Sequence, residues 1–150
     1  MKLAEALSMR KELLDKISVL RQKLSDNAVY QDGSKPVEDP RELMLELHKT
    51  ASELSDLIKR INKTNAASLI DGVPLGDLVV DRDTKIRIVG ALKQAIETAS
   101  SVGRRYSASE ILLLPAINVK EVQKKTDELA KEVRELDNKI QATNWNIDLL

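Results

Sequence analysis

Apolar positions recur along this chain in four stretches, each spaced like one face of a helix. Between about Lys2 and Asn27, Leu3, Leu7, Leu14, Ile17 and Leu24 fall at heptad spacing, with Ala6, Leu13 and Leu20 beside them. A stripe of that width predicts a helix burying one side. Arg10 and Arg21 fall inside it, and Asn27 is expected to close it in the left-handed conformation. The second stretch opens on Asp39-Pro40-Arg41-Glu42, which puts Asp at the N-cap, Pro at the first helical position and Glu at the third. Leu43, Leu47, Thr50, Leu54, Leu57, Ile61 and Thr64 then step 4-3-4-3-4-3. Lys59, Arg60 and Lys63 gather in the last turns, where the helix dipole favours cations, and Asn65 can close the helix.

The third stretch follows Asp71-Gly72-Val73-Pro74 and runs from about Leu75 to Val102. Leu78, Arg82, Ile86, Val89, Ile96 and Ala99 mark its face, with Leu92 beside it, and Gly103 is a natural stop. The fourth starts at Asn118-Val119-Lys120-Glu121, a capping-box pattern. Val122, Thr126, Leu129, Val133, Leu136, Ile140 and Thr143 repeat the 4-3-4-3-4-3 step. In the linker between the first two stretches, Asp32-Gly33 and Pro36 are turn residues, and Val29-Tyr30 with Val37 are expected to pair as a small hairpin.

Stretches two and four correspond at a constant offset of 79 residues. Asp39 aligns with Asn118 and Glu42 with Glu121. Ala51/Ala130, Glu53/Glu132, Leu57/Leu136, Ile61/Ile140, Thr64/Thr143 and Asn65/Asn144 are identical pairs. Shared heptads explain matched leucines, but not the matched caps or the common Thr-Asn endings. The pattern points to a duplicated helical hairpin, hairpin one over 1–67 and hairpin two over 75–150. The expected fold is all-α: one domain over 1–150, an antiparallel four-helix bundle built from two helical hairpins. The 4-3 seams imply coiled-coil-like crossings near 20°.

Composition narrows the chemistry. The chain has 150 residues, enough for one domain with a real core. Lys plus Arg and Asp plus Glu are 24 each, so no nucleic-acid partner is expected. The absence of Cys removes disulfide scaffolds, thiolate metal sites and Cys nucleophiles. Tyr30, Tyr106 and Trp145 are the only aromatic residues, too few for a base-stacking surface. No leader-like apolar run opens the chain, and the longest such run, Ile111–Ile117, contains Pro115. A soluble, cytoplasmic protein with no transmembrane segment is expected.

No catalytic set emerges. His48 is the only imidazole and reads as an edge or surface residue. Leu45 stands three positions before it, so the Glu-x-x-His motif of dimetal bundles is missing. No metal or other cofactor is expected. Two polar groupings remain as candidates. Arg60, Asn62, Thr64 and Asn65 cluster at the end of the second stretch, and Asn144 and Trp145 at the repeat counterpart. If the helices run as hairpins, these ends form one polar mouth; alternatively the residues close their helices and Trp145 belongs to the core. The other grouping is Arg105, Tyr106, Ser107, Ser109 and Glu110, in a crossover long for a bundle loop. Its arginines beside Tyr and Ser suit an anion or acidic partner, while Ser107 and Glu110 at capping-box spacing suit a short helical turn.

The phrases MKLAEAL at the start, RINKTNA over Arg60–Ala66, RYSASEI over Arg105–Ile111 and IQATNW over Ile140–Trp145 resemble the septicolysin-like family of small bacterial proteins. The resemblance covers essentially the whole chain. It implies a cytolysin-type, membrane-active role by the family's label, and it brings no catalytic residues with it. The positions matching its phrases are the same two groupings: Arg60, Asn62, Thr64, Asn65, Arg105, Tyr106, Ser107, Ser109, Glu110, Asn144 and Trp145.

Three functions follow in order. The first is a non-enzymatic helical interaction protein forming a homo-oligomer, with leftover apolar positions such as Met44, Leu45 and Ile58 and the Ile111–Leu114 run offered to a partner. The second is a small-ligand or anion-binding protein using the Arg-Tyr-Ser crossover or the Thr-Asn ends. The third is the membrane-active protein that the resemblance implies.

Overall fold

The computed structural model of the chain describes residues 1–102 and 111–150. It is all-α: α1 spans Leu3–Asp26, α2 Pro40–Ala67, α3 Leu75–Ser101 and α4 Val119–Asn146, with a two-residue strand pair, β1 Leu69–Ile70 and β2 Val73–Pro74, ahead of α3. Both members of the expected repeat, α2 and α4, are 28 residues long and start 79 positions apart. The chain divides into two compact units, Met1–Leu69 with Thr143–Leu150, and Ile70–Ala142.

In the first unit α1 and α2 form an antiparallel hairpin. Its sense shows in two ion pairs, Lys16 to Glu46 and Lys23 to Glu38, each 2.9 Å. Asp39 caps α2 by accepting the Arg41 N–H at 2.8 Å, with Pro40 in the first turn as expected. Leu43, Thr50, Leu54, Leu57, Ile61 and Thr64 are buried, so the 4-3 stripe of α2 is its core face. Leu3, Ala4, Ala6 and Leu20 are buried on α1. Leu14, expected within that stripe, is 49% exposed, and Arg10 and Arg21 are exposed too.

Two local expectations are corrected. Asn27 ends α1 at φ −101°, not in the left-handed region. Its amide does the capping instead: Nδ2 donates to the Lys23 carbonyl and Oδ1 accepts the Glu38 N–H, both at 2.9 Å, which ties the linker back to the helix. Val29, Tyr30 and Val37 form no hairpin; all three are strongly exposed, and Ser34 instead closes a tight turn onto the Gln31 carbonyl. The hairpin lies at the other Asp-Gly pair. Asp71 and Gly72 have φ of 52° and 83°, and the two positive values define the turn that matches strand twist.

In the second unit α3 and α4 run antiparallel. Arg82 meets Asp137 at 2.8 Å and Lys85 meets Glu132 at 2.6 Å, so advancing along α3 retreats along α4. Asn118 caps α4 by accepting the Glu121 N–H at 3.2 Å. On α4 Thr126 and Ile140 are buried, but Val122, Leu129, Val133 and Leu136 are only half-buried. On α3 Leu75 alone is buried in a helix of 27 residues. Ile86, expected on its buried face, is 48% exposed. Gly90 sits inside α3 with open space where a Cβ would stand. Gly90→Ala is therefore expected to raise stability by about 0.5–1 kcal/mol through the lower entropy cost of ordering the helix, read as a higher denaturation midpoint.

Candidate functional site

The end of α2 is the best-defined polar site among the described residues. Thr64 sits on the last 4-3 step of the stripe and is 1% exposed. Its hydroxyl donates to the Arg60 carbonyl at 2.9 Å and accepts the Leu150 N–H at 3.0 Å. The Arg60 Nε donates to the main-chain oxygen of Leu150 at 2.9 Å. Residues 147–150 are thus laid as a strap across this end of the unit. Further on, Leu3 N–H donates to the Ile147 carbonyl at 3.1 Å and Leu149 N–H to the Met1 carbonyl at 2.9 Å. The Lys2 ammonium reaches Asp148 at 3.1 Å. The first bond also serves chain geometry, since it satisfies an N–H at the start of α1 that has no partner within the helix.

The expected polar mouth is therefore filled by the chain's own backbone. Thr64 and Asn144 are both buried, Asn65 is half-buried and Asn62 is exposed. Trp145 is 61% exposed and does not belong to the core, because its position on α4 lies off the stripe that carries Ile140 and Thr143. Arg105, Tyr106, Ser107, Ser109 and Glu110 lie outside the described residues, as does the expected stop at Gly103. His48 is exposed.

Arg60 also borders a groove of about 580 Å³ along α1 and α2, whose apolar floor is Met1, Met9, Leu13 and Leu57. Its charged border holds Glu12, Glu53 and Asp56 against Lys16 and Arg60. Carboxylates outnumber the cations, and Lys16 is already paired with Glu46, so the groove offers an anion little. The hydrogen bond and then the charge of Glu46 push the Lys16 ammonium above its ordinary range, and Lys16 lowers Glu46 in turn. The pair's contribution is fully present between the ordinary, unfolded-state values of the two groups. It is lost as pH falls through the depressed Glu46 value, and again as pH rises through the raised Lys16 value. Glu46→Gln should accordingly lower the melting point slightly at neutral pH and in low salt. That difference should close at acid pH, where Glu46 is protonated in both states.

Arg82 is a largely enclosed charge among the described residues of the second unit. Its side chain is 19% exposed and donates to Asp137 and, through Nε and Nη2, to Asp83. Burial works against its charge, but the two carboxylates outweigh it and raise the guanidinium further. Asp83 and Asp137 both belong to the α3–α4 hairpin, which gives Arg82 a structural use. Among the described residues no group of three or more His, Cys, Asp or Glu side chains is placed to hold a metal ion. Nor is any helix there long and apolar enough to cross a membrane.

The feature that sequence reasoning missed is a second apolar stripe on α3. The seam toward α4 carries Leu78, Arg82, Val89, Leu92 and Ile96, all half-buried. On the opposite side Val80, Thr84, Ile88, Ala91, Ala95 and Thr98 step 4-4-3-4-3, and all are exposed. The spacing was available as a signal, but it interleaves with the first stripe. Toward its C-terminal end this face becomes one wall of a groove of about 540 Å³. Ala91, Gln94, Ala95, Thr98, Ala99 and Val102 line one side and Leu114, Pro115, Ala116 and Ile117 the other, with no charged residue among them. Beside it the run Ile111–Leu114 stands in solvent, Ile111 being 91% exposed and Leu114 71%. The chain's other leftover apolar positions are less concentrated: Met44 and Leu45 are exposed on α2 and Ile58 is half-buried.

Comparison with known proteins agrees with this fold and adds no activity. The chain is similar to a functionally unknown conserved protein from Corynebacterium diphtheriae, known from its crystal structure. The two are 37% identical, with a TM-score of 0.93 over 100% of this chain and 99% of that one. No curated protein matches. Residues 10–149 match a family of unknown function, DUF6847. The chain is a member of that family.

Proposed function

We propose that this chain is a helical interaction protein that works as a homo-oligomer. The observation that carries the reading is α3, which buries one side chain in 27 residues while bearing apolar residues on two faces. Helices in water owe most of their stability to a packed apolar face, and a helix apolar on opposite sides is one that has neighbours on both. Helix α2, with six buried residues, shows what an enclosed helix of this chain looks like. The half-buried seam of α4 leaves the second hairpin short of cover in the same way. Sedimentation velocity tests the proposal. A species of at least twice the chain mass at micromolar concentration is the expected result, and a single chain throughout would overturn it. The resemblance to septicolysin-like proteins offers a different cover for these residues, a lipid surface. A monomer that releases dye from phosphatidylcholine–phosphatidylglycerol vesicles would replace the present reading with that one.

A further inference from the structure

We infer that the groove between α1 and α2 is a docking site for an amphipathic helix of a partner protein, one whose aliphatic face is bordered on both sides by Lys or Arg. The inference is independent of the self-association proposed above and concerns a different helix pair. All nine residues lining this groove are described and belong to the first unit. Its floor is Met1, Met9, Leu13 and Leu57, and Met9 is 44% exposed. Methionine is unbranched and polarisable, so a floor built from it adapts to aliphatic anchors of different shapes. One end of the groove is fixed in advance by the strap. The Met1 carbonyl accepts the Leu149 N–H, and the Arg60 Nε donates to the main-chain oxygen of Leu150, both at 2.9 Å. A groove held in this way loses little freedom when it is filled.

Charge sets the chemistry of the occupant. Lys16 is held by Glu46 and Asp56 by Lys59, at 2.9 and 3.2 Å, while the Arg60 Nε is turned to the strap. Glu12 on α1 and Glu53 on α2 are exposed and make no hydrogen bond or ion pair among the described residues. One unpaired carboxylate therefore stands on each wall. An occupant with cations along both edges of its apolar face pairs with both, and one with carboxylates there is repelled. Shape sets its conformation. The lining runs along the first chain segment from Met1 to Lys16, about 20 Å at the helical rise and close to four turns of helix. Both walls are helices whose main-chain groups are bonded internally. An extended peptide would find no partners there for its own N–H and C=O groups, whereas a helix satisfies them itself. Anchors three and four residues apart on that helix then meet the floor together.

The probe is a labelled peptide of leucine and lysine, about 18 residues long, with its leucines at helical spacing. A Leu/Glu peptide of the same pattern and a Leu/Lys peptide of the same composition with the pattern broken are the comparisons. Binding to the full chain is followed by fluorescence anisotropy. It is repeated on a variant carrying Glu12→Gln and Glu53→Gln together, and on Met9→Ser. All three positions are exposed, so none of the changes strains the core, and circular dichroism checks the helix content. The patterned Leu/Lys peptide is expected to bind at micromolar concentration, and both comparison peptides about tenfold more weakly. The paired Gln change should weaken binding by about tenfold, the loss of two border ion pairs, and Met9→Ser by about threefold. Binding that Met9→Ser leaves unchanged would be charge attraction alone, and binding that the Gln pair leaves unchanged would place the peptide elsewhere. Either result overturns the inference, as does no binding at about 100 µM protein. A wild-type oligomer that Met9→Ser breaks into single chains would put a second copy in the groove and overturn it as well. A chain that sediments singly and still binds the peptide as expected supports the inference and overturns self-association alone.

Discussion

Ile61→Ala should lower the stability of the chain by about 3–4 kcal/mol, a large share of what a domain of this size has. Ile61 is 1% exposed, on the face of α2 that also buries Leu54, Leu57 and Thr64. Truncation removes three carbon atoms from a closed site and leaves a cavity that two long packed helices cannot easily collapse. In thermal unfolding the loss corresponds to a melting point lower by roughly 10 °C. Urea titration should show the midpoint falling with the slope unchanged. Leu14→Ala is the control. It removes a similar side chain from the same hairpin, but Leu14 is 49% exposed, and the cost should stay below about 1 kcal/mol.

Removing residues 147–150 should cost on the order of 2 kcal/mol, the second largest effect expected. The strap makes main-chain bonds to Met1 and Leu3, receives the Arg60 guanidinium, and gives the buried Thr64 hydroxyl its donor. It also helps cover Leu3, which is 0% exposed at the start of α1. Without it, Leu3 and the Thr64 hydroxyl face water at the end of the unit. Against these losses stands the backbone freedom that four residues regain, which keeps the net figure modest. A cycle with Thr64→Val isolates the link between the two. In the full chain the substitution leaves the Leu150 N–H without its acceptor and should cost about 1–2 kcal/mol. In the shortened chain that partner is already gone, and the cost should fall by at least half. Equal costs in both backgrounds would mean that the strap and Thr64 act independently.

These two expectations differ in how far they could be foreseen. Ile61 was legible because burial on a helix leaves a 3.6-residue period, and α2 shows that period without interruption. Its start was legible from Asp39 and Pro40, and α4 from its equality with α2 at a fixed offset. The strap left no such trace, because four of its bonds use its own main-chain groups, which every residue has. Thr64 and Asn65 looked like an open polar mouth for the same reason: nothing in their side chains says that a backbone segment fills the space. The two Asp-Gly pairs show a related limit. Both suit a tight turn, yet only Asp71-Gly72 has apolar neighbours on both sides, Ile70 and Val73, able to pair. Helix α3 misled in another way. A single-seam reading takes Leu78, Val89 and Ile96 and leaves Val80, Ile88 and Ala95 as scatter, although the leftovers make a stripe of their own.

That second stripe is where the account can be tested most directly. Native-state hydrogen exchange, followed from about 1 to about 100 µM protein, reports how well each helix is covered as copies come together. The account predicts that amides of α3 between Val80 and Val102 slow markedly with concentration, while those of α2 between Leu43 and Thr64 stay unchanged. Exchange in α3 that is independent of concentration, and as fast as its exposure in the single chain implies, would contradict it.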